Sequence, residues 1–304
     1  MLIRNPSEWG GDQLGHAALA VKSVVGAIHR PDEETHAPPV VRRIRVADLK
    51  AALAQGFGDF AVYRTDVIFL CLLYPFIGLV MARLVVGQGM FELMFPVASG
   101  FALIGPFIGL GLYEMSRQRE QGHTVTWAAA FDVLRSPSSG AIAALGLFLL
   151  AIFLAWLFAA QSIYDMTLGP HHPASVIRFA QDLFLTGRGW TLIGAGVGVG
   201  FLFALAAFAV SAVSFPLLLD RKDVGVVTAV RTSIRAIAAN PGPMALWGLI
   251  VAGGLVLGSI PFFVGLAVVI PILGHATWHL YRKLIVPSAE AGRVFTPERP
   301  DAKP

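Results

Sequence analysis

Six long apolar blocks, at about residues 66–86, 92–113, 140–160, 191–219, 244–260 and 262–281, alternate with polar stretches along the chain. Each is long enough to cross a hydrocarbon layer about 30 Å thick, which takes roughly 20 helical residues. The run from Ala245 to Leu280 would make a straight helix of about 54 Å at 1.5 Å per residue, too long for one crossing. A hairpin turn is therefore expected near Ser259 and Pro261. A re-entrant pair is the alternative, disfavoured because irregular backbone must be sheltered from lipid.

Before the first, third and fifth blocks lies a shorter amphipathic stretch with helical spacing: Leu49, Leu53 and Phe57; Trp127, Phe131 and Leu134; Val230, Ile234 and Ile237. Their apolar faces are too narrow to span lipid, so each is expected to lie along the interface. The pattern predicts an all-α membrane protein of six transmembrane helices in three repeated units, each an interfacial helix followed by a transmembrane hairpin. The second crossings of units one and three also align. Residues 105–117 lie against 270–282, pairing Pro106 with Pro271, Gly109 with Gly274, Glu114 with His279, and Arg117 with Arg282.

Composition agrees with lipid as the solvent. Of 304 residues 56% are hydrophobic and 14% charged, where a soluble domain carries about a quarter charged. The net charge of +4 raises the question of nucleic acid, but no basic stripe interleaved with aromatics lies outside the loops, and no nucleic-acid partner is expected. Twenty of the 23 lysines and arginines fall in the N-terminal segment, the loops at 114–139 and 220–243, and the C-terminal tail; Arg83, Arg178 and Arg188 lie on the other side. By the positive-inside rule both ends are cytoplasmic. Residues 1–40 read as a flexible cytoplasmic arm with a short amphipathic helix over 14–28, 41–285 as the membrane domain and 286–304 as a cytoplasmic tail. The start lacks the pattern of a cleaved signal peptide, and the single cysteine, Cys71, provides no disulfide framework.

Candidate chemistry is sparse. With pseudo-threefold packing, Glu114, Asp220 and His279 come to the cytoplasmic mouth at similar depth, with Arg117, Arg221 or Arg282 as partners; anchoring of helix ends at the interface is the competing account. His275 and His279 are four apart, a spacing that presents two imidazoles to one metal ion, with Glu114 as a third ligand through tertiary packing. Hydrogen-bonded histidines in an aromatic belt with Trp278 and Tyr281 explain the pair without metal. The outer loop, 161–190, holds Asp165, His171, His172 and Asp182, where adjacent histidines rarely converge on one ion. Gly194, Gly196, Gly198 and Gly200 form two overlapping GxxxG spacings, read first as close helix packing and second as a flexible substrate site. No hydrolase elbow or phosphate loop is present, and no cofactor is called for.

The tracts GPFIGLGLYEMSRQREQG (105–122) and PILGHATWHLYRK (271–283) carry a resemblance to the bacterial integral membrane family known as domain of unknown function 2189, extending over about 45–285, with NPSEWGGDQL near the start as a weaker echo. The resemblance implies an inner-membrane protein, and some relatives are labelled cytochrome c oxidase subunits, which implies a respiratory complex as partner beside membrane lipids. The histidine pattern lacks the opposed ligands of a haem site. Three functions follow in order: a noncatalytic accessory or scaffold of a membrane complex, a small-molecule or lipid transporter, and a metal-dependent enzyme resting on His275, His279 and Glu114.

Overall fold

The computed structural model describes residues 39–103, 105–169, 171–261 and 264–287. The helix expected within residues 14–28 and the tail beyond 287 lie outside the described residues. The helices are α1 (Val46–Gly87), α2 (Met94–Leu103), α3 (Gly105–Ile108), α4 (Leu110–Glu120), α5 (Ser139–Thr167), α6 (Val176–Leu185), α7 (Gly187–Ser211), α8 (Ser214–Asp220), α9 (Val226–Ala239), α10 (Pro241–Ser259) and α11 (Leu266–Leu284). Two 3-10 segments, Phe91–Leu93 and Trp127–Arg135, join them. The described residues contain no strand; Val41 and Ile285 form one isolated antiparallel bridge.

Three helical stretches are long and apolar enough to cross a membrane: Ser139–Thr167, Gly187–Asp220 and Pro241–Ser259. They coincide with the third, fourth and fifth blocks. The other three blocks take different forms. The first is the far half of α1, a helix of 42 residues about 63 Å long. No proline separates Phe57 from Asp66 and the helix runs on through Gly58, so the amphipathic stretch expected as a separate interfacial helix continues straight into the apolar block. The second runs through α2, α3 and α4, with Gly109 in a turn between Ile108 and Leu110. The sixth is α11, 19 residues with Pro271 inside it and Arg282 and Lys283 in its last turn.

The buried core gathers at one end of the bundle. Leu49 from α1, Leu145 and Leu149 from α5, Phe215, Leu217 and Leu218 from α8, Trp247 from α10, and Trp278 and Tyr281 from α11 form one cluster. These positions adjoin the basic segments. Toward the opposite end the apolar side chains face outward, among them Phe158 (78% exposed), Met166 (87%) and Leu185 (79%). In lipid such exposure carries no solvation penalty, so close packing and hydrogen bonds hold the helices together.

The start of α1 lies antiparallel beside the end of α11. Arg42 donates its backbone N–H to Leu284 O (2.7 Å), and Val286 N–H donates to Val40 O (3.0 Å). Farther along, a Cβ on Gly56 would lie 2.5 Å from the backbone nitrogen of Ala276, so only glycine permits this approach. Gly274 meets Leu112 of α4 in the same way, at 2.5 Å from its Cδ1. The buried face of α1 is thus Leu49, Ala52, Gly56 and Asp59, and Phe57 is 58% exposed. Of the expected apolar face, Leu49 is buried and Leu53 packs against the core, while Gly56 takes the inward place beside Phe57.

In the second and third amphipathic stretches small residues share the inward side, although Val230 and Ile237 also pack against the core. Ala129 and Val133 are buried while Phe131 and Leu134 are exposed; in α9 Ala229, Thr232, Ser233 and Ala236 are buried while Ile234 is 49% exposed. Small residues face the protein because they let backbones approach, and large apolar ones face out.

Gly56→Ala should lower stability in detergent by about 1–3 kcal/mol, the range for forcing extra volume into a tight contact. Gly58→Ala, where a Cβ meets nothing within 4 Å, should be neutral or gain up to about 1 kcal/mol from helix propensity. Thermal melts of the two variants give the comparison.

Candidate functional site

Where α1, α4 and α11 meet, a carboxylate is buried that sequence reasoning passed over. Asp59 of α1 is 5% exposed. Its Oδ2 accepts from Ser116 Oγ (2.6 Å) and lies 2.9 Å from His279 Nε2, while Arg119 pairs with Oδ1. Ser116 and Arg119 come from α4 and His279 from α11, so one side chain ties three helices. His275, one turn before His279 and fully buried, places Nδ1 2.8 Å from Ser116 Oγ and 4.0 Å from Asp59 Oδ2.

The proton inventory fixes the direction of these bonds. An ionised carboxylate only accepts, and a serine hydroxyl has one proton to give. With that proton on Asp59, Ser116 accepts from His275 Nδ1–H. The serine hydroxyl thus stands between the carboxylate and the imidazole and links α1 to α11 through α4.

Glu114 faces the other way on α4. Arg117 grips it with Nε on Oε2 (2.8 Å) and Nη2 on Oε1 (2.7 Å), and Gln118 links it to Asp132 at 2.9 and 3.0 Å. Glu114, at 2% exposure, holds the Arg117 guanidinium above its already high ordinary value through these hydrogen bonds. None of the described hydrogen bonds of Glu114 reaches a histidine. Ser116 and Asp59 bind the His275 and His279 pair instead.

A third group closes the same end of the bundle. Asp220, at the end of α8, accepts from Tyr281 Oη (2.7 Å) and from Arg282 Nη1 (3.4 Å). Arg282 also donates from Nε to Glu120 (3.0 Å), which accepts from Trp278 Nε1 (3.1 Å). The ends of α4, α8 and α11 therefore converge on Arg282. The sequence-predicted residues fall into three networks built on α4 and α11, with Asp59 and Glu120 added to them. Asp59 falls on the stripe begun by Leu49, Ala52 and Gly56, three and seven residues apart. That signal stood in the sequence but was obscured by the larger side chains of the neighbouring face.

Two nitrogens and a carboxylate beside one another invite a metal. Ser116 occupies the space between Asp59 and His275, and among the described residues no group of three His, Cys, Asp or Glu side chains could hold an ion. At the opposite end His172 Nδ1 lies 2.7 Å from Glu92 Oε1, whereas His171 contributes its carbonyl to Tyr164 Oη (2.9 Å). The adjacent histidines diverge. Asp165 accepts from Gln161 (2.8 Å) and Asp182 pairs with Arg178 (3.6 Å).

Between α2, α5 and α7 runs an apolar groove of about 230 Å³, lined by Phe95, Ser99, Trp156, Gly196, Val197, Gly200, Phe201 and Ala204. Trp156 forms its floor, held by Nε1 donating to Pro96 O (3.0 Å) and to Ser99 Oγ (3.2 Å). A Cβ on Gly200 would come within 2.9 Å of this ring. Gly194, Gly196 and Gly198 have nothing within 4 Å. Of the two GxxxG spacings, Gly200 alone packs against another helix, and Gly196 leaves room in the groove.

A double-mutant cycle separates the networks. Asp59→Ala with His279→Ala should show a coupling of about 0.5–3 kcal/mol in thermal stability, as contacting residues do, and Glu114→Ala with His279→Ala should add within about 0.5 kcal/mol. Coupling of Glu114 in place of Asp59 would reverse the assignment.

Residues 94–220 match the model of a family described as predicted integral membrane protein, domain of unknown function 2189. This is the family the sequence resembles, and the matched stretch contains the first of the two tracts that carry the resemblance; the second lies beyond it. No curated protein and no solved structure matches the chain. With its apolar helices the chain is a helical integral membrane protein.

Proposed function

We propose that this protein is a noncatalytic accessory or scaffold of a bacterial inner-membrane complex, crossing the bilayer six times with both ends in the cytoplasm. The observation that carries the proposal is the lateral groove over Trp156. Its rim residues Phe95, Val197 and Phe201 are 61%, 56% and 64% exposed, so it opens sideways toward the membrane. A seat of that shape suits an apolar helix of a neighbouring subunit, packed by contact and small residues where no hydrophobic drive operates. The polar networks at the basic end support the same role by locking α1, α4, α8 and α11 into one rigid support.

The runner-up is a small-molecule or lipid transporter. It draws on the buried His275 beside Asp59, since intramembrane ionisable groups commonly mark substrate or ion paths.

Purification in mild detergent with identification of copurifying proteins tests the leading proposal. A defined membrane partner should accompany the wild type, and Val197→Trp, which fills the groove, should release it while the melting temperature stays unchanged. Solute flux in liposomes with no partner recovered would move the assignment to transport. Reporter fusions after Gly122 and Arg293 should read cytoplasmic and one after Gly169 noncytoplasmic; opposite sides for the two ends would reject the six-crossing topology.

A further inference from the structure

Asn240 joins the chain entering α1 to the end of α9. Its Oδ1 accepts from Ile44 N–H (2.7 Å) and its Nδ2 donates to Arg42 O (3.0 Å). Ile44 is buried, so Arg43 and Arg45 on either side of it are exposed in this extended segment. On α9 the small residues Ala229, Thr232, Ser233 and Ala236 are buried, and the opposite face presents Val227 (46% exposed), Arg231, Ile234 (49%) and Arg235. None of these four guanidinium groups is paired with a carboxylate among the described residues. The nearby Asp48 carboxylate accepts from the backbone N–H of Arg45 (2.8 Å), which is capping chemistry at the start of α1.

We infer that this junction is a binding site for anionic phospholipid, with Arg43, Arg45, Arg231 and Arg235 on the head-group phosphates and Val227 and Ile234 in the acyl region below them. Three features fix the occupant. Without carboxylate partners among the described residues these arginines call for a polyanion, and guanidinium groups meet phosphate oxygens two at a time. Two large apolar side chains on the same exposed helix face as Arg231 and Arg235 call for an apolar medium beside that charge. A soluble polyanion provides the first without the second, whereas an anionic leaflet provides both. The packing of α9 makes this possible, since its small residues occupy the protein side and leave Val227 and Ile234 free for lipid. The inference leans on membrane embedding alone, so a reversed topology or a failed scaffold assignment leaves it standing.

The test uses the purified full chain in neutral detergent, with melting followed as phosphatidylglycerol or phosphatidylcholine is added. Phosphatidylglycerol should raise the melting temperature by about 3 °C or more, as a ligand bound to the folded state does, and phosphatidylcholine should not. High salt should shrink the rise. The variant R43Q/R45Q/R231Q/R235Q should melt with the wild type in neutral detergent and lose the rise. V227Q/I234Q should reduce it with the arginines intact. Equal rises with the two lipids, or an undiminished rise in the fourfold variant, would overturn the inference. An equal rise with heparin would overturn it too, by making the cluster a site for soluble polyanions. If the fourfold variant does not fold, native mass spectrometry of the wild type decides: preferential retention of phosphatidylglycerol is expected, and equal retention of both lipids rejects the site.

Discussion

A carboxylate placed where water is scarce must be surrounded by donors, and the arrangement of this molecule follows from meeting that demand at Asp59. Isolated, such a charge is prohibitively unfavourable in a low dielectric. Here it is met by a hydroxyl, an imidazole and a guanidinium. Because those donors come from α4 and α11, the demand can be met only when three helices are in register. Gly56 is the steric counterpart, since it brings the backbones of α1 and α11 close enough for short side chains to reach, while Gly274 leaves room for the Leu112 side chain. Removing the charge and widening the gap are therefore two routes to the same loss.

Apolar length was enough to read a helical membrane protein and to locate the three stretches long enough to cross a bilayer. Which residues of an amphipathic stretch pack inward was only partly legible from bulk. Leu49, Leu53, Val230 and Ile237 meet the core, whereas Phe57, Phe131 and Ile234 lie exposed beside buried Gly56, Ala129 and Ser233. In lipid alanine, glycine and serine allow close approach, and leucine or phenylalanine gain nothing by leaving the hydrocarbon. Asp59 was missed because its helical neighbours one and two turns back are Gly56 and Ala52, which a search for bulk ignores.

The networks at the basic end were half legible. The ends of α4 and α11 meet where Arg282 binds Glu120, and Arg282 also reaches Asp220 across the bundle. Pairing between helices depends on rotation about each axis, which spacing along one helix cannot supply. Glu114 therefore turns to Arg117 and Gln118, while His275 meets Ser116 and His279 meets Asp59 on α1, a helix that the alignment of residues 105–117 with 270–282 did not include.

The bridge between Val41 and Ile285 has a consequence for biosynthesis. Nearly the whole membrane domain lies between these two positions, so the first helix is made and inserted long before the last one exists. Throughout that interval Asp59 lacks His279 and the α11 backbone that Gly56 is shaped to meet. The nascent chain must hold an incompletely partnered carboxylate near the membrane until the ribosome delivers residues 266–284. Assembly is then completed from the end of the chain backward, and a product truncated before α11 would leave Asp59 without its histidine partner, a defect that quality-control proteases can recognise.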